Sequence, residues 1–213
     1  SLDLANLATT LWKAGGNAGT TAGTHFLGTT DNVALQLHAN STRALRLEPN
    51  TSGAPNIIAG SAQNGVASGV VGAVIGGGGA TSYNGVAYPN VVNASFGTIA
   101  GGASNTVGSS ALNAFVGGGY LNAASGASSS VGGGYLNGAS GSQAAVGGGY
   151  ANLASGSVSF VGGGTTNTAS GFESAIAGGE QNAASGTNSF VGAGYYNGAK
   201  DFAAVGGGYA NLA

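Results

Sequence analysis

The heptapeptide VGGGYLN occupies residues 116–122 and returns unchanged at residues 131–137, fifteen positions later. It returns once more as VGGGYAN at residues 146–152, so the step is constant. Varied copies follow at 161–167, 176–182, 191–197 and, after a step of fourteen, 205–211. A short fixed period predicts a solenoid, in which each repeat forms one coil stacked on the next.

Each repeat predicts two short strands and two turns. The first strand ends at the valine, as in Ser129-Ser130-Val131, and the second lies around Asn137 to Ser140. The glycine triplet and Gly141 supply turns and allow close approach of another backbone. Neighbouring coils would stack about 4.8 Å apart. The predicted fold class is therefore all-β: a parallel β-roll or solenoid of about fifteen-residue coils.

Such a coil has little interior, because it buries one valine, one alanine and one face of a tyrosine. Small cores are marginal unless something else covers them. Three consecutive glycines also leave an edge without side chains. Both features predict several thin solenoids that share a core, packed or intertwined as a homotrimer.

The composition excludes several classes of protein. The chain has 213 residues, with 45 Gly and only 5% charged residues. Regularly spaced glycine argues against disorder, and collagen would need glycine at every third position. A net charge of −2 gives no basic surface for nucleic acid. No apolar run is long enough to predict a membrane-spanning helix.

Charge is also unevenly distributed along the chain. No Asp, Glu, Lys or Arg occurs between Glu48 and Glu173. A monomeric soluble domain normally carries a mixed charged surface. We therefore expect other copies to cover much of this stretch, with Ser, Thr, Asn and Gly facing water.

Residues 1–56 predict a separate N-terminal fibre module. Leu4, Leu7 and Leu11 have helical spacing, which predicts a short helix within residues 1–15. A short strand is expected near His25-Phe26-Leu27. Alternating apolar residues then predict two strands, around 33–37 and 43–47, joined by a turn at 40–42 into a β-hairpin.

Residues 57–213 form the predicted glycine-rich solenoid. Its early copies start at Ile58, Ile75 and Ile99, at wider and unequal steps. Insertions in a solenoid are extruded as loops and leave the coil path intact. The largest departure predicts an insertion loop at about 79–95.

Two residue types form columns in the predicted stack. The asparagine that ends each heptapeptide would hydrogen-bond along its column or cap a turn. The tyrosine column would pack between subunits or present stacking surfaces for sugars. The candidate ligand-contact residues are Tyr83, Tyr88, Tyr120, Tyr135 and Tyr150.

The sequence predicts no catalytic, cofactor-binding or metal-binding residue. Gly76 to Gly79 lack the Lys-Ser/Thr that follows in a phosphate-binding loop. His25 and His38 both fall in the hairpin module, where surface or structural roles are expected. Glu173 and Glu180 lie seven residues apart, but nothing else supports paired carboxylates of a glycoside hydrolase.

The repeats resemble the head repeats of YadA-like trimeric autotransporter adhesins. Ser129-Ser130-Val131-Gly132 and Ala139-Ser140-Gly141 occupy places similar to that family's Ser-Val-x-Ile-Gly strand and Ala-x-Gly stretch. This chain differs in its fifteen-residue period and its glycine triplet. The resemblance implies a trimer of left-handed parallel β-rolls around a shared axis.

A second resemblance concerns the N-terminal module. Gly15 to Thr20, together with Phe26 to Asn32, look like a module of large bacterial surface fibres and phage tail-fibre-like proteins. Both resemblances imply a trimeric extracellular fibre.

The leading hypothesis is a structural and adhesive segment of a homotrimeric fibre at a bacterial cell surface, with a glycan or protein receptor as partner. The alternatives are a shaft or receptor-binding segment of a phage-type tail fibre and an ice-binding solenoid. The last would need a regular threonine array, which Thr165, Thr166, Thr168 and Thr187 do not form. The chain begins without Met and stops within a repeat, and we expect it to be part of a longer protein.

Overall fold

The computed structural model describes Lys13 and residues 15–213, and this part of the chain is all-β. The helix predicted from Leu4, Leu7 and Leu11 lies outside the described residues. In chain order the strands are β1 (Leu35–Ala39), β2 (Thr42–Glu48), β3 (Asn56–Ala59), β4 (Gly65–Val66), β5 (Val74–Ile75), β6 (Val91–Val92), β7 (Thr98–Ile99), β8 (Thr106–Val107), β9 (Phe115–Val116), β10 (Ala123–Ala124), β11 (Ser130–Val131), β12 (Gly138–Ala139), β13 (Ala145–Val146), β14 (Leu153–Ala154), β15 (Phe160–Val161), β16 (Thr168–Ala169), β17 (Ala175–Ile176), β18 (Ala183–Ala184), β19 (Phe190–Val191), β20 (Gly198–Ala199) and β21 (Ala204–Val205).

The strands build a parallel β-solenoid of about 10 coils, as the repeat predicts. Two sheets run the length of the stack within residues 15–213, one of twelve strands and one of nine. The even-numbered strands β4 to β20 form the second sheet. The first sheet contains β1, β2 and the odd-numbered strands from β3 to β21. Each coil therefore contributes one two-residue strand to each sheet, as predicted, with β3 the exception at four residues.

The register follows the repeat from the first coil. Ile58 pairs with Ile75 and Ile75 with Ile99, although both steps are longer than fifteen residues. Ile99 then pairs with Val116, and the regular steps follow. The valine column contains Ile58, Ile75, Ile99, Val116, Val131, Val146, Val161, Ile176, Val191 and Val205, all buried. The three irregular copies are thus part of the solenoid, as predicted.

The interior of each coil is narrow and contains few side chains. In the coil that starts at Val131, the buried positions are Val131, Asn137, Ala139, Gly141 and Ala144. The tyrosine, Tyr135, lies outside this interior with 39% of its surface exposed, and its ring packs on the tyrosines of neighbouring coils. A buried asparagine takes part of the space that a larger protein would fill with Leu or Phe. Such a core is acceptable only if the amide is fully hydrogen-bonded.

The asparagine column meets this requirement. In Asn137 the Oδ1 atom accepts a hydrogen bond from the backbone N–H of Asn152 at 3.0 Å. Its Nδ2 atom donates to the carbonyl oxygens of Gly133 at 2.9 Å and Gly149 at 2.8 Å. Gly133 belongs to the same coil and Gly149 to the next. The side chain therefore caps its own turn and also links two coils, so both predicted modes occur.

The glycine triplet has two tight positions and one open position. A Cβ on Gly147 or Gly149 would clash with the carbonyl oxygen of the equivalent glycine in the next coil. A Cβ on the middle residue, Gly148, would lie 3.8 Å from the carbonyl oxygen of Gly133, an ordinary contact. The predicted close approach of backbones therefore occurs between coils of one chain, at the first and third glycines.

Turns use non-glycine residues more often than the sequence suggests. Leu136 and Gln143 both have φ of 59°, and the equivalent residues of other coils are similar. The left-handed region costs L-residues roughly 1–2 kcal/mol each. The stacked strands on either side must supply that energy, and for this reason composition alone does not indicate these turns.

The predicted hairpin forms, with β1 and β2 antiparallel. Its two-residue turn, Asn40-Ser41, has φ of 48° and 59°, as a tight hairpin turn requires. The strand expected near His25 to Leu27 is absent; within the described residues, this stretch is made of turns and bends. Neither sheet of the described residues includes them.

The hairpin pairs directly with the first strand of the solenoid. Strand β2 pairs antiparallel with β3 and so extends the first sheet by two strands. Nη2 of Arg43 donates to the carbonyl oxygens of Ala62 at 2.8 Å and Asn64 at 2.9 Å. Partial burial, followed by the charge of Arg46, lowers the pKa of Arg43 from its ordinary value. The hairpin thus covers the first coil, as a solenoid end requires.

The described residues contain no helix with the length and apolar character needed to cross a membrane.

Candidate functional site

The structure brings together all five tyrosines selected from the sequence. Ring centroids are 6.4 Å apart for Tyr83 and Tyr88 and 5.7 Å apart for Tyr88 and Tyr120, both in edge-to-face geometry. Tyr120 and Tyr135 stack at 5.3 Å with an interplanar angle of 12°. Tyr135 and Tyr150 follow at 5.3 Å and 46°. The five rings form one continuous aromatic ladder.

The coil geometry sets the spacing of this ladder. Successive residues of the tyrosine column pair as parallel β-bridges, for example Tyr120 with Tyr135. The backbone N–H of Tyr120 donates to Gly134 in the next coil at 2.9 Å. Because the rings stack on one another, their faces are partly covered within the column. Tyr120, Tyr135 and Tyr150 are 37–45% exposed, but the stacking leaves no row of free ring faces on which sugars could stack.

Tyr83 and Tyr88 come from the insertion, which is itself a small hairpin. Ala80 and Tyr88 exchange backbone hydrogen bonds of 3.2 and 2.8 Å, and Tyr83 pairs with Val86. Asn84 and Gly85 make the turn with φ of 51° and 78°. We refer to residues 80–88 as the insertion hairpin.

The insertion is shorter than the loop predicted at 79–95. Strand β6 (Val91–Val92) lies within that range and belongs to the second sheet. Asn90 is buried in the asparagine column, where its backbone N–H donates to Oδ1 of Asn64 at 2.9 Å. The coil path therefore resumes at Asn90, and the extruded part is correspondingly smaller.

An open pocket of about 440 Å³, called the cavity below, lies between the insertion hairpin and the end of the ladder. The cavity exists because Gly79 and Ala103 stand where later coils have tyrosine. Ala103 pairs with Tyr120 as its neighbour in the column. Tyr83, Tyr88 and Tyr120 provide the aromatic lining. The cavity does not follow from the repeat alone, although the sequence already shows Gly79 and Ala103 at places where later repeats have tyrosine.

The ladder is interrupted further along the stack. Thr165 and Glu180 occupy the next two places in the tyrosine column. Tyr195 and Tyr209 then resume it, stacked at 5.4 Å. Glu173 lies in a different turn of the coil, at a left-handed position with φ of 53°. Glu173 and Glu180 thus belong to separate columns of the solenoid.

The two histidines make local contacts in the hairpin region. Nδ1 of His25 accepts a hydrogen bond from the backbone N–H of Thr21 at 3.0 Å. Nε2 of His38 lies 3.2 Å from Oε1 of Gln36. Across the described residues, His, Asp and Glu side chains form no group of three that could hold a metal ion. The aromatic ladder and its cavity are therefore the candidate site.

Comparison with known proteins gives no family assignment: no protein-family model and no curated protein matches the chain.

Proposed function

We propose that this chain is a structural and adhesive segment of a homotrimeric extracellular fibre. The observation that carries the proposal is a column of exposed phenylalanine on the first sheet. Phe115, Phe160 and Phe190 precede the buried valines and point outward, with 42–44% of their surface exposed. We call this row the outer column; its other regular members are Ser130, Ala145, Ala175 and Ala204.

The outer column is uncharged and mostly apolar, with Ser130 as its one polar regular member. A Cβ on Gly117 would lie 3.3 Å from Cε1 of Phe115, so the ring lies beside a residue without a side chain. Phe160 has the same relation to Gly162, at 3.5 Å. Complete burial of an exposed Phe contributes roughly 1.5–3 kcal/mol, and these residues, with 42–44% of their surface exposed, can gain up to about half of that. Three such rings on an uncharged face favour contact with further copies of the chain.

The rod character of the segment follows from the stacking. The valine and asparagine columns run through every coil from Ile58 and Asn64 to the last copy. Ten coils at about 4.8 Å each give a rod roughly 50 Å long. Because backbone and asparagine hydrogen bonds join every coil to the next, the rod should resist bending. A stiff rod with an aromatic site on its wall suits a fibre that presents contacts at a distance from its anchor.

The oligomeric mass in solution tests this proposal. Light scattering on a sizing column should give three times the chain mass of 19.9 kDa. Combined replacement of Phe115, Phe160 and Phe190 by Ser should give the single-chain mass. Ser130 already occupies this column, so serine is compatible with the fold.

Phe172→Ser is the matched control, because Phe172 is 49% exposed but lies outside the outer column. This variant should keep the mass of the unmodified chain. A monomeric unmodified chain would contradict the proposal, as would a triple variant that remains a trimer.

A further inference from the structure

We propose that the cavity beside the insertion hairpin binds a terminal ring of a neutral saccharide. This proposal rests on the adhesive function proposed above and names the class of ligand for it. The cavity of about 440 Å³ is within the range of small-molecule sites, roughly 300–1,000 Å³, and towards its lower end. That volume suits one or two sugar rings rather than a long polymer.

The walls of the cavity offer aromatic faces that the rest of the ladder does not. Tyr83 meets Tyr88 at 61°, and Tyr88 meets Tyr120 at 65°. Tyr83 is 66% exposed, so much of its ring is free to contact a ligand, whereas Tyr120 and Tyr135 cover each other as a stack. A sugar ring has a flat face of C–H groups that packs well against an aromatic face.

The hydroxyl groups at the cavity are unengaged within the protein. Across the described residues, no protein group hydrogen-bonds the hydroxyl of Tyr83, Tyr88 or Tyr120. Partial exposure to water does not by itself explain why these positions have tyrosine rather than phenylalanine. The outer column has phenylalanine and no tyrosine at 42–44% exposure, while Tyr120, Tyr135 and Tyr150 are 37–45% exposed. The free hydroxyl groups of the cavity tyrosines could therefore hydrogen-bond a ligand, and a saccharide supplies hydroxyl groups that match them.

No residue that lines the cavity is charged, which disfavours an ionic ligand. Every lining residue lies in the stretch between Glu48 and Glu173, which has no charged side chain. A carboxylate, phosphate or ammonium group would lose its hydration without gaining a partner of opposite charge.

The backbone also disfavours an added peptide strand. The N–H groups of Gly79, Ala80 and Ala103 donate to Gly102, Tyr88 and Gly119 respectively. A peptide that binds by strand addition needs free backbone groups. A proline-rich peptide needs fewer such groups and is therefore the competitor that an experiment must test.

The chain has 8 tyrosines, so protein labelled with 3-fluorotyrosine gives a fluorine NMR spectrum with few resonances. The resonances of Tyr83, Tyr88 and Tyr120 report on this site directly. The probes are disaccharides ending in glucose, galactose, mannose, fucose or N-acetylglucosamine. At least one should shift the resonances of Tyr83, Tyr88 and Tyr120 and leave Tyr195 and Tyr209 unchanged.

A matched pair of variants isolates the cavity. Ala103→Tyr extends the tyrosine column into the cavity and should weaken binding by about tenfold or more. Thr165→Tyr adds the same side chain to the same column, away from the cavity, and should bind as the unmodified protein does. Tyr120→Phe, which removes one hydroxyl group, should weaken binding severalfold without changing the fold.

The proposal is overturned if no disaccharide shifts these resonances at tens of millimolar. It is also overturned if Ala103→Tyr binds as well as Thr165→Tyr, or if a proline-rich decapeptide shifts the three resonances instead. The oligomeric mass is a separate measurement, so failure of the trimer and failure of this site can be told apart.

Discussion

Oδ1 of Asn122 accepts a hydrogen bond of 3.0 Å from the backbone N–H of Asn137, one coil further along the solenoid. The same bond joins each neighbouring pair in the column from Asn64 to Asn211. A side chain in one coil thereby fixes the position of the backbone in the next. The column contributes to stability because the amides are buried, where an unpaired polar group is costly.

Replacing one of these asparagines should destabilise the fold. In Asn137→Ala, the buried N–H of Asn152 and the carbonyl oxygen of Gly133 would lose their partners. We expect the free energy of unfolding to fall by about 2–4 kcal/mol. Urea denaturation followed by circular dichroism measures this change. Ser142→Ala, at an exposed position in the same coil, should change the free energy of unfolding little. If both variants lost the same stability, the asparagine column would have no special role.

The two kinds of glycine in the triplet should respond differently to alanine. Gly149 has φ of 95°, and a Cβ there would clash with the backbone of Gly164. Gly149→Ala should therefore lower stability by at least about 2 kcal/mol. Gly148→Ala meets only an ordinary contact and should leave stability unchanged or raise it by up to about 1 kcal/mol. Similar thermal midpoints for the two variants would show that the coils are not packed as described.

Two buried serines at equivalent positions should also behave differently. The hydroxyl of Ser159 is buried without a hydrogen-bond partner, whereas Ser174 donates to Gly171 at 2.8 Å. Ala144 occupies the same place in another coil. Ser159→Ala should raise the free energy of unfolding by about 1 kcal/mol, and Ser174→Ala should lower it by a similar amount. A loss of stability in Ser159→Ala would mean that its hydroxyl has a partner after all.

Much of the fold could be predicted because each sequence repeat corresponds to one coil of the structure. The fifteen-residue step places Val131 on Val146, and alternation of inward and outward residues fixes the strand. Even the irregular pair Ile75 and Ile99 follows, because an insertion changes the loop and not the stacking. The hairpin of β1 and β2 could be predicted from its alternating apolar residues and turn.

Features that depend on tertiary contacts could not be predicted in the same way. Asn90 stands fifteen residues before Asn105, yet the surrounding insertion hid its place in the column. The segment around Phe26 has apolar residues but no strand partner, so local preference was misleading there. The cavity depends on how the insertion hairpin folds over Gly79 and Ala103, which no local pattern specifies.

Spin-label distances test the central claim most directly, namely that three copies pack through the outer column. The chain has no cysteine, so Ser130→Cys gives a single labelled site in that column. Thr168→Cys gives a matched site on the outer face of the second sheet. Pulsed electron paramagnetic resonance then measures the distance between copies at each site.

Packing through the outer column predicts one short intermolecular distance at residue 130, on the order of 20 Å for three sheets around an axis. The distance at residue 168 should be clearly longer. No intermolecular distance at residue 130, or a shorter one at residue 168, would contradict the account.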